Sequence, residues 1–484
     1  MNKGIIVAGL LALALAAQSA GAKTLEEVLK EKGVITEADF NDIMKEKPKT
    51  PPVSYKLGQG MTFTTPDEKY QLSIGGQIQM RYTFFQLDGP SNPPFNNSNK
   101  SEWRMQRIKT YFNGYAYTKD LTYKINLAWN QLTNYGNSSK LLEECFLNYR
   151  IVDEAQLRVG QDKVQYSRQW ITPSSQNEFV DTSFVTSAFT PTYDMGLAVN
   201  GSALKGLLTY SVAWLGGNGQ STTANDNNNS YNLRLGVNPL GEMKYGEADI
   251  DMSPKPLLGL GGSYYHDTLK YTTLTTGANP APANVTAGLE TNNLGYAQST
   301  GWLGKNIALF ALPAPSLASG WGNATQNINV DMFQADLAFK WLGLFAQAEY
   351  FWGQGTGQTT TVYNKPNGTK GFGQPTVIAN GFYAQVGYMV VPKTVELAVR
   401  YNWMDYNKAQ TLSLQTQVQG AISWYIQGHN LKIQADVTKA NTQANARTDR
   451  TLVPLTTPNN STGPYLTSNA LADTIFRAQV QLMF

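Results

Sequence analysis

The side chains best suited to chemistry in this sequence are guanidinium and ammonium groups set at alternate positions of apolar runs. Arg81 lies in "YQLSIGGQIQMRYTFF", Arg107 and Lys109 flank Ile108, and Lys124 sits between Tyr123 and Ile125; Arg234, Arg400 and Arg477 interrupt "YNLRLGV", "VELAVRYNWMDY" and "DTIFRAQVQLMF". Successive side chains of an extended chain point to opposite faces, so each of these cations opposes an apolar face. Arg150, Arg158, Lys340 and Lys432 obey the same rule. Carboxylates on that polar face are fewer: Glu144, Asp336, Glu349, Glu396, Asp436 and Asp473. A surplus of positive charge on a low-dielectric wall focuses field and draws anions, and guanidinium forks suit phosphate-like oxyanions. The competing reading is that these groups pair with acids and stiffen the wall.

Acid–base chemistry has less support. Neither histidine, His266 in "YYHDT" nor His429 in "QGHNL", stands beside a Ser or Asp motif, apart from the neighbour Asp267. The single cysteine, Cys145, excludes an internal disulfide, and no Cys/His set provides for a metal or a covalently held haem, so no cofactor is expected. A net charge of +3 over 484 residues is too small to argue for nucleic acid.

The cations are positioned by strands. The same dyad rhythm recurs in "LTYKINLAW", "MFQADLAFKW", "LFAQAEYFW", "FYAQVGYMVV", "QTQVQGAISWYI" and "LKIQADVTK". Each run has about the length of a tilted strand that crosses a membrane, roughly 9–11 residues. Short connections such as "VDEA", "VPKT" and "QGHN" alternate with long polar loops such as "GNGQSTTANDNNN". Charged residues make up only 15% and aromatics 11%, which is too apolar for disorder. These observations predict an all-β, transmembrane antiparallel β-barrel of about sixteen strands. A soluble β-sandwich or β-helix adhesin is the competing fold. In the barrel, apolar faces meet lipid and lipopolysaccharide, the cations enter the lumen, and the last strand closes against the one near Tyr70. Phe484 then sits in the periplasmic aromatic girdle.

Residues 1–22 read as a secretory signal. Lys3 precedes an apolar run over residues 4–17, shorter than the roughly 20 residues a spanning helix needs, and Ala20 and Ala22 mark a cleavage site. Residues 23–52 carry apolar positions at helical spacing, a Gly33 break, a capping pattern from Thr36 and the Pro51–Pro52 stop, which predicts a short periplasmic helical hairpin and linker. Residues 53–484 form the barrel in this reading, placed in the bacterial outer membrane.

"FYAQVGYMVVPKTVELAVRYNWMDYN", "GAISWYIQGHNLKIQADVTK" and the terminal "FRAQVQLMF" resemble the C-terminal half of the phosphate-selective porin O and P family. "QLSIGGQIQMRY", "QLRVGQDKVQYSRQW" and "NLRLGVNPLG" resemble its first, middle and eighth-strand regions. The chain departs from the family where "GQDKVQYSRQ" replaces the usual Pro-Phe step after the central Gly-Gln pair. The resemblance implies a homotrimer of sixteen-stranded pores for small anionic solutes, with a terminal strand read by the outer-membrane assembly machinery. Two other functions fit the composition: a sheath or scaffold barrel housing a partner such as an electron-carrying protein, and an outer-membrane barrel hydrolase.

Residues 164–193 follow the fifth strand and hold Trp170, Phe179, Phe184 and Phe189, more aromatics than a hydrated loop carries. They are expected to fold into the lumen and narrow it, with Arg168 facing the passage. Arg81, Arg107, Lys109 and Arg477 are expected to converge in the extracellular half, since the last strand adjoins the first and the first adjoins the second.

Overall fold

Alternating apolar and polar side chains make sixteen strands of one antiparallel sheet. In chain order they are β1 (Tyr70–Gln86), β2 (Lys100–Ala116), β3 (Thr118–Ala128), β4 (Leu142–Val152), β5 (Ala155–Lys163), β6 (Tyr193–Ala203), β7 (Leu208–Leu215) and β8 (Ser230–Val237). The second half comprises β9 (Leu257–Thr273), β10 (Ala324–Trp341), β11 (Leu344–Gly357), β12 (Thr376–Val391), β13 (Val395–Asp405), β14 (Leu414–Tyr425), β15 (Leu431–Thr442) and β16 (Leu471–Met483). Each pairs with its chain neighbours, and β16 pairs with β1 from Thr474↔Gln86 to Met483↔Gln77, which closes the barrel. Closure leaves no open edge between these strands.

The chain divides into two units, Met1–Pro52 and Val53–Phe484. This computed structural model describes residues 53–88, 99–135, 140–217, 219–221, 228–273, 288–289, 324–357, 362–364, 370–372, 376–405, 408, 413–443 and 471–484, with a few positions between 30 and 38. The signal expected over residues 1–22 lies outside the described residues, as does nearly all of the helical hairpin expected over 23–52.

Strand parity falls as the sequence predicts. On β1, Gln77, Gln79, Arg81 and Thr83 are buried while Met80 between them is 43% exposed. Val386, Tyr388, Leu397, Val399, Val418, Ile422 and Val480 form part of a broad exposed apolar surface on β12–β16, the kind of band that lipid covers.

At the end of the barrel where most connections are short, Phe484 exchanges backbone hydrogen bonds with Gly76, donating at 3.1 Å and accepting at 2.7 Å. Gly76 leaves room for the Phe484 ring, since a Cβ there would fall 2.6 Å from Cζ. Below this point β1 continues and pairs through Gln71–Ile74 with a hairpin of Val53–Lys56 and Gly60–Thr64. The hairpin and β16 therefore share one edge of β1, end to end.

Two segments turn inward. The first is the expected loop after β5, with short helices at Arg168–Ile171 and Phe184–Phe189. Its Val164, Tyr166, Val185 and Phe189 form a buried core with Tyr265, Met332, Phe351, Tyr383 and Met404 from the wall. Phe189 stacks on Phe351 at 5.5 Å. Each such side chain contributes about 1.5–3 kcal/mol by leaving water, so the loop is a packed part of the barrel. The second, residues 238–256, joins β8 to β9 on the side where other connections are short. It buries Met243, Glu247, Ala248 and Asp249 and meets the loop where Glu247 N–H donates to Gln176 O at 3.0 Å.

Candidate functional site

The loop is seated on acceptors supplied by the wall. Ser167 caps the first helix by accepting from Trp170 N–H. The free N–H groups of Arg168 and Gln169 donate to the Glu349 carboxylate at 3.0 and 2.7 Å, and Tyr383 Oη donates to the same carboxylate at 2.7 Å. A helix start presents unpaired donors, and Glu349 on β11 satisfies two of them. Ser183 caps the second helix, and its hydroxyl also reaches Asn402 at 2.6 Å. Glu349→Ala should therefore strand the two helix N–H groups and remove an acceptor from Tyr383 Oη and Gln334 Nε2, at about 1–3 kcal/mol for each donor left unpaired. Amide hydrogen exchange over residues 168–176 should accelerate while the barrel strands keep their protection.

Around the loop tip lies a cluster of guanidinium groups. Arg81 donates to Asp181 Oδ2 at 2.9 Å, to Val180 O at 2.9 Å and to Gln479 at 3.1 Å. Arg107 reaches Asp181 Oδ1 at 3.4 Å and Gln79 at 2.7 Å. Arg477 grips Asp436 with two bonds of 2.7 Å, and Asp436 also accepts from Val180 N–H at 3.3 Å. Arg400 stacks over Phe179 at 4.2 Å and donates to Gln419 and to Asp181 O; its Nη1 has no partner among the described residues. Four guanidinium groups thus surround two carboxylates, a surplus of two positive charges among these six side chains, which Glu247 offsets in part at Arg400. Burial opposes ionisation of Asp181, but Arg81, Arg107 and Arg477 outweigh it and hold this loop carboxyl well below the usual carboxylate range.

The expected quartet is only partly assembled. Arg81, Arg107 and Arg477 come together through Asp181 and Asp436; Arg107 and Arg477 lie near the middle of β2 and β16, and Arg81 lies beyond the middle of β1 toward Gln86. Lys109 is apart, paired with Glu143 at 2.5 Å, because it stands opposite Ala128 at the end of β3, where Leu127 stands opposite Leu142, the residue before Glu143 on β4. Lys124 pairs with Glu144 at 2.7 Å. Arg234 pairs with Asp336 at 2.7 Å and donates to Tyr166 O, so it anchors the root of the loop. Arg168 does not face a passage: its guanidinium lies over Tyr245 at 5.0 Å and 3.9 Å from Asp336, drawn to the wall by that acid.

The loop packs against β8–β16 and β1 and also touches β2 at Arg107 and β5 at Lys163, which leaves the inner faces of β2–β5 the less covered part of the wall. Of the inward cations there, Arg107 is 17%, Arg158 25% and Lys124 33% exposed while Lys109 is buried; on the covered side Arg400 is 2% and Lys432 0% exposed. Arg158 pairs with Asp162, and Lys163 donates to Trp170 O at 2.7 Å. The passage wall therefore carries paired charges of both signs, with Arg107 at its edge linking it to the positive cluster.

Sequence reasoning missed Asp181, the neutralising loop acid, and the whole inward turn of residues 238–256. A length so unlike the other short-side connections was the available signal. His266 bonds Asp331 at 2.9 Å, with Tyr264 donating to the same carboxylate at 2.6 Å. These residues lie on the outer face, whereas Asp267, one residue on, is buried inside. Adjacent strand residues point apart, so the His266–Asp267 pair does not form a site.

No curated protein matches this chain. Among solved structures, OmpT of Vibrio cholerae in a trimer form is similar at TM-score 0.47 and 10% identity, over 85% of this chain and 99% of that one. The outer membrane channel DcaP of Acinetobacter baumannii is similar at 0.46 and 9%, over 88% and 100%. A mutant porin of Rh. blastica gives 0.41 and 10%, over 85% and 100%. The model of the phosphate-selective porin O and P family matches residues 73–462; with the closed sixteen-stranded barrel and its inward loop, this chain belongs to that family of outer-membrane porins.

Proposed function

We propose that the protein is a passive channel for small hydrophilic solutes with a preference for anions, phosphate-like oxyanions among them. One observation carries the reading: four guanidinium groups against two carboxylates where the loop tip meets β1, β2, β13, β15 and β16. Fixed positive charge on a low-dielectric wall concentrates anions, and Arg107 at the passage edge has open donor capacity for an oxyanion. The reading requires no cofactor and no catalytic step. A sheath function fits less well, since the lumen is occupied by the chain's own segments. The rest of the reading is a cleaved signal over residues 1–22, a homotrimer as the family resemblance implies, lipid and lipopolysaccharide against the apolar band, and assembly through the Phe484 strand.

Reversal potentials in a salt gradient test it. The wild-type channel should be more permeable to chloride and phosphate than to potassium. Arg107→Gln should lower that ratio by roughly two- to five-fold, the effect of about 0.5–1 kcal/mol for one solvated charge at the passage. Cation preference in the wild-type channel would overturn the reading.

A further inference from the structure

On the side of the guanidinium cluster toward the short connections two buried carboxyl groups meet. Glu178 on the loop is 0% exposed and Glu396 near the start of β13 is 1% exposed. One oxygen of each has a donor: Gln385 donates to Glu178 Oε2 at 2.8 Å, and Tyr425 Oη donates to Glu396 Oε2 at 2.6 Å. The other two, Glu178 Oε1 and Glu396 Oε1, find no donor. Both lie over Gly387, where a Cβ would fall 1.7 Å from the first and 2.8 Å from the second. The two unsatisfied oxygens are therefore close neighbours.

Every packed element contributes to this site. Residues 238–256 bring Glu247, which accepts Glu178 N–H at 2.7 Å. β13 adds Arg400, β14 adds Ser423 and Tyr425, and β15 adds Lys432 and Gln434. Ser423 and Gln434 donate to Glu178 O at 3.2 and 2.8 Å, and Lys432 donates to Asn177 O at 2.7 Å. Three carboxyl groups, Glu178, Glu247 and Glu396, thus crowd a water-poor space with two cations. Two buried carboxylates in contact cannot both ionise cheaply, and a single proton between them turns one unsatisfied acceptor into a donor for the other.

We propose that Glu178 and Glu396 share one proton as an acid-held latch for the loop, so that alkaline pH frees the loop and widens the passage. The latch rests on the channel reading and concerns regulation of the same constriction. Burial, then the neighbouring Glu396 and Glu247, push the Glu178 carboxyl well above its ordinary range. A raised carboxyl stabilises the closed state below its ordinary pKa and loses that contribution as pH climbs through the raised value. When the proton leaves to hydroxide, both carboxylates are charged beside Glu247 and repel.

Single-channel conductance of the full protein, with a chelator present to remove bridging divalent cations, should rise reversibly by roughly 1.5-fold or more between about pH 6 and about pH 10. Glu396→Gln supplies a permanent amide donor and should stay at the low level throughout. If that variant does not fold, Gly387→Ala, whose methyl displaces the Glu178 carboxyl, should conduct at the high level at every pH. A conducting wild type without the step, or a step retained in Glu396→Gln, overturns the latch and leaves the channel reading intact. A silent protein overturns the channel reading instead. Amide exchange over residues 174–186, corrected for intrinsic rates, then decides the latch: equal protection at both pH values overturns it.

Discussion

Deleting residues 174–186 should raise single-channel conductance several-fold and, in the same channels, raise the anion-to-cation permeability ratio. The first effect follows from the path of the loop, which packs against the inner faces of β8–β16 and β1 and leaves those of β2–β5 the less covered part of the wall. The second follows from Asp181, which lies within the deleted stretch and neutralises Arg81 and Arg107. Without it the guanidinium groups of Arg81 and Arg400 face an open lumen. The sixteen strands keep their pairing, because no ladder bond of the barrel runs through the loop. The variant should nonetheless unfold at a lower temperature, since it loses the buried Phe179 and Val185 from their wall neighbours Ala398, Ala421, Tyr383 and Met404, at about 1.5–3 kcal/mol for each side chain. Conductance in planar bilayers checks the first part and reversal potentials the second. Unchanged conductance would mean that the loop is not the narrow point.

Asp181→Asn isolates the electrostatic half. The amide keeps nearly the volume and one acceptor of the carboxylate, while the local surplus rises from two positive charges to three. Anion preference should increase by roughly two- to five-fold at low salt, about 0.5–1 kcal/mol at an effective dielectric between water and protein, and should fade as screening shortens with added salt. Conductance itself should change far less than in the deletion. Thermal stability should fall, because Arg81 is left buried with a weaker partner, a change that costs up to about 3–5 kcal/mol for a fully buried pair. If the permeability ratio does not move, the Arg81 and Arg107 charges are not felt by permeating ions.

The strands were legible because a barrel wall has one wet and one greasy face, and a period of two is the plainest pattern a sequence can carry. Arg81, Arg400 and Arg477 could be assigned to the lumen from that period alone. Inward folding of the loop was legible too, since Trp170, Phe179 and Phe189 need cover. The partner of each cation was not. Whether Lys109 meets Glu143 or joins Arg107 depends on the registers of β2 with β3 and of β3 with β4, and register leaves no mark on composition. The aim of Arg168 depends on Asp336, far away in sequence and brought near only by closure of the sheet. Residues 238–256 have neither the period of a strand nor that of a helix. Their inward turn is held by scattered contacts, such as Met243 on Phe345, Ala248 on Met389 and His429 Nε2 with Glu247 O at 3.2 Å.

The hairpin of Val53–Lys56 and Gly60–Thr64 occupies the lower edge of β1, and Phe484 occupies the next position above it. A Cβ at Gly75 would meet Gln59 O and Phe484 O, each at 2.9 Å, so the two chains abut with no spare residue between them. Sliding β16 down by two residues would preserve which side chains face lipid, and hydrophobicity alone does not forbid it. The hairpin forbids it by standing in the way. It is a mechanical stop for the seam: it fixes the stagger at which the sheet closes, and for a set number of strands the stagger determines the bore.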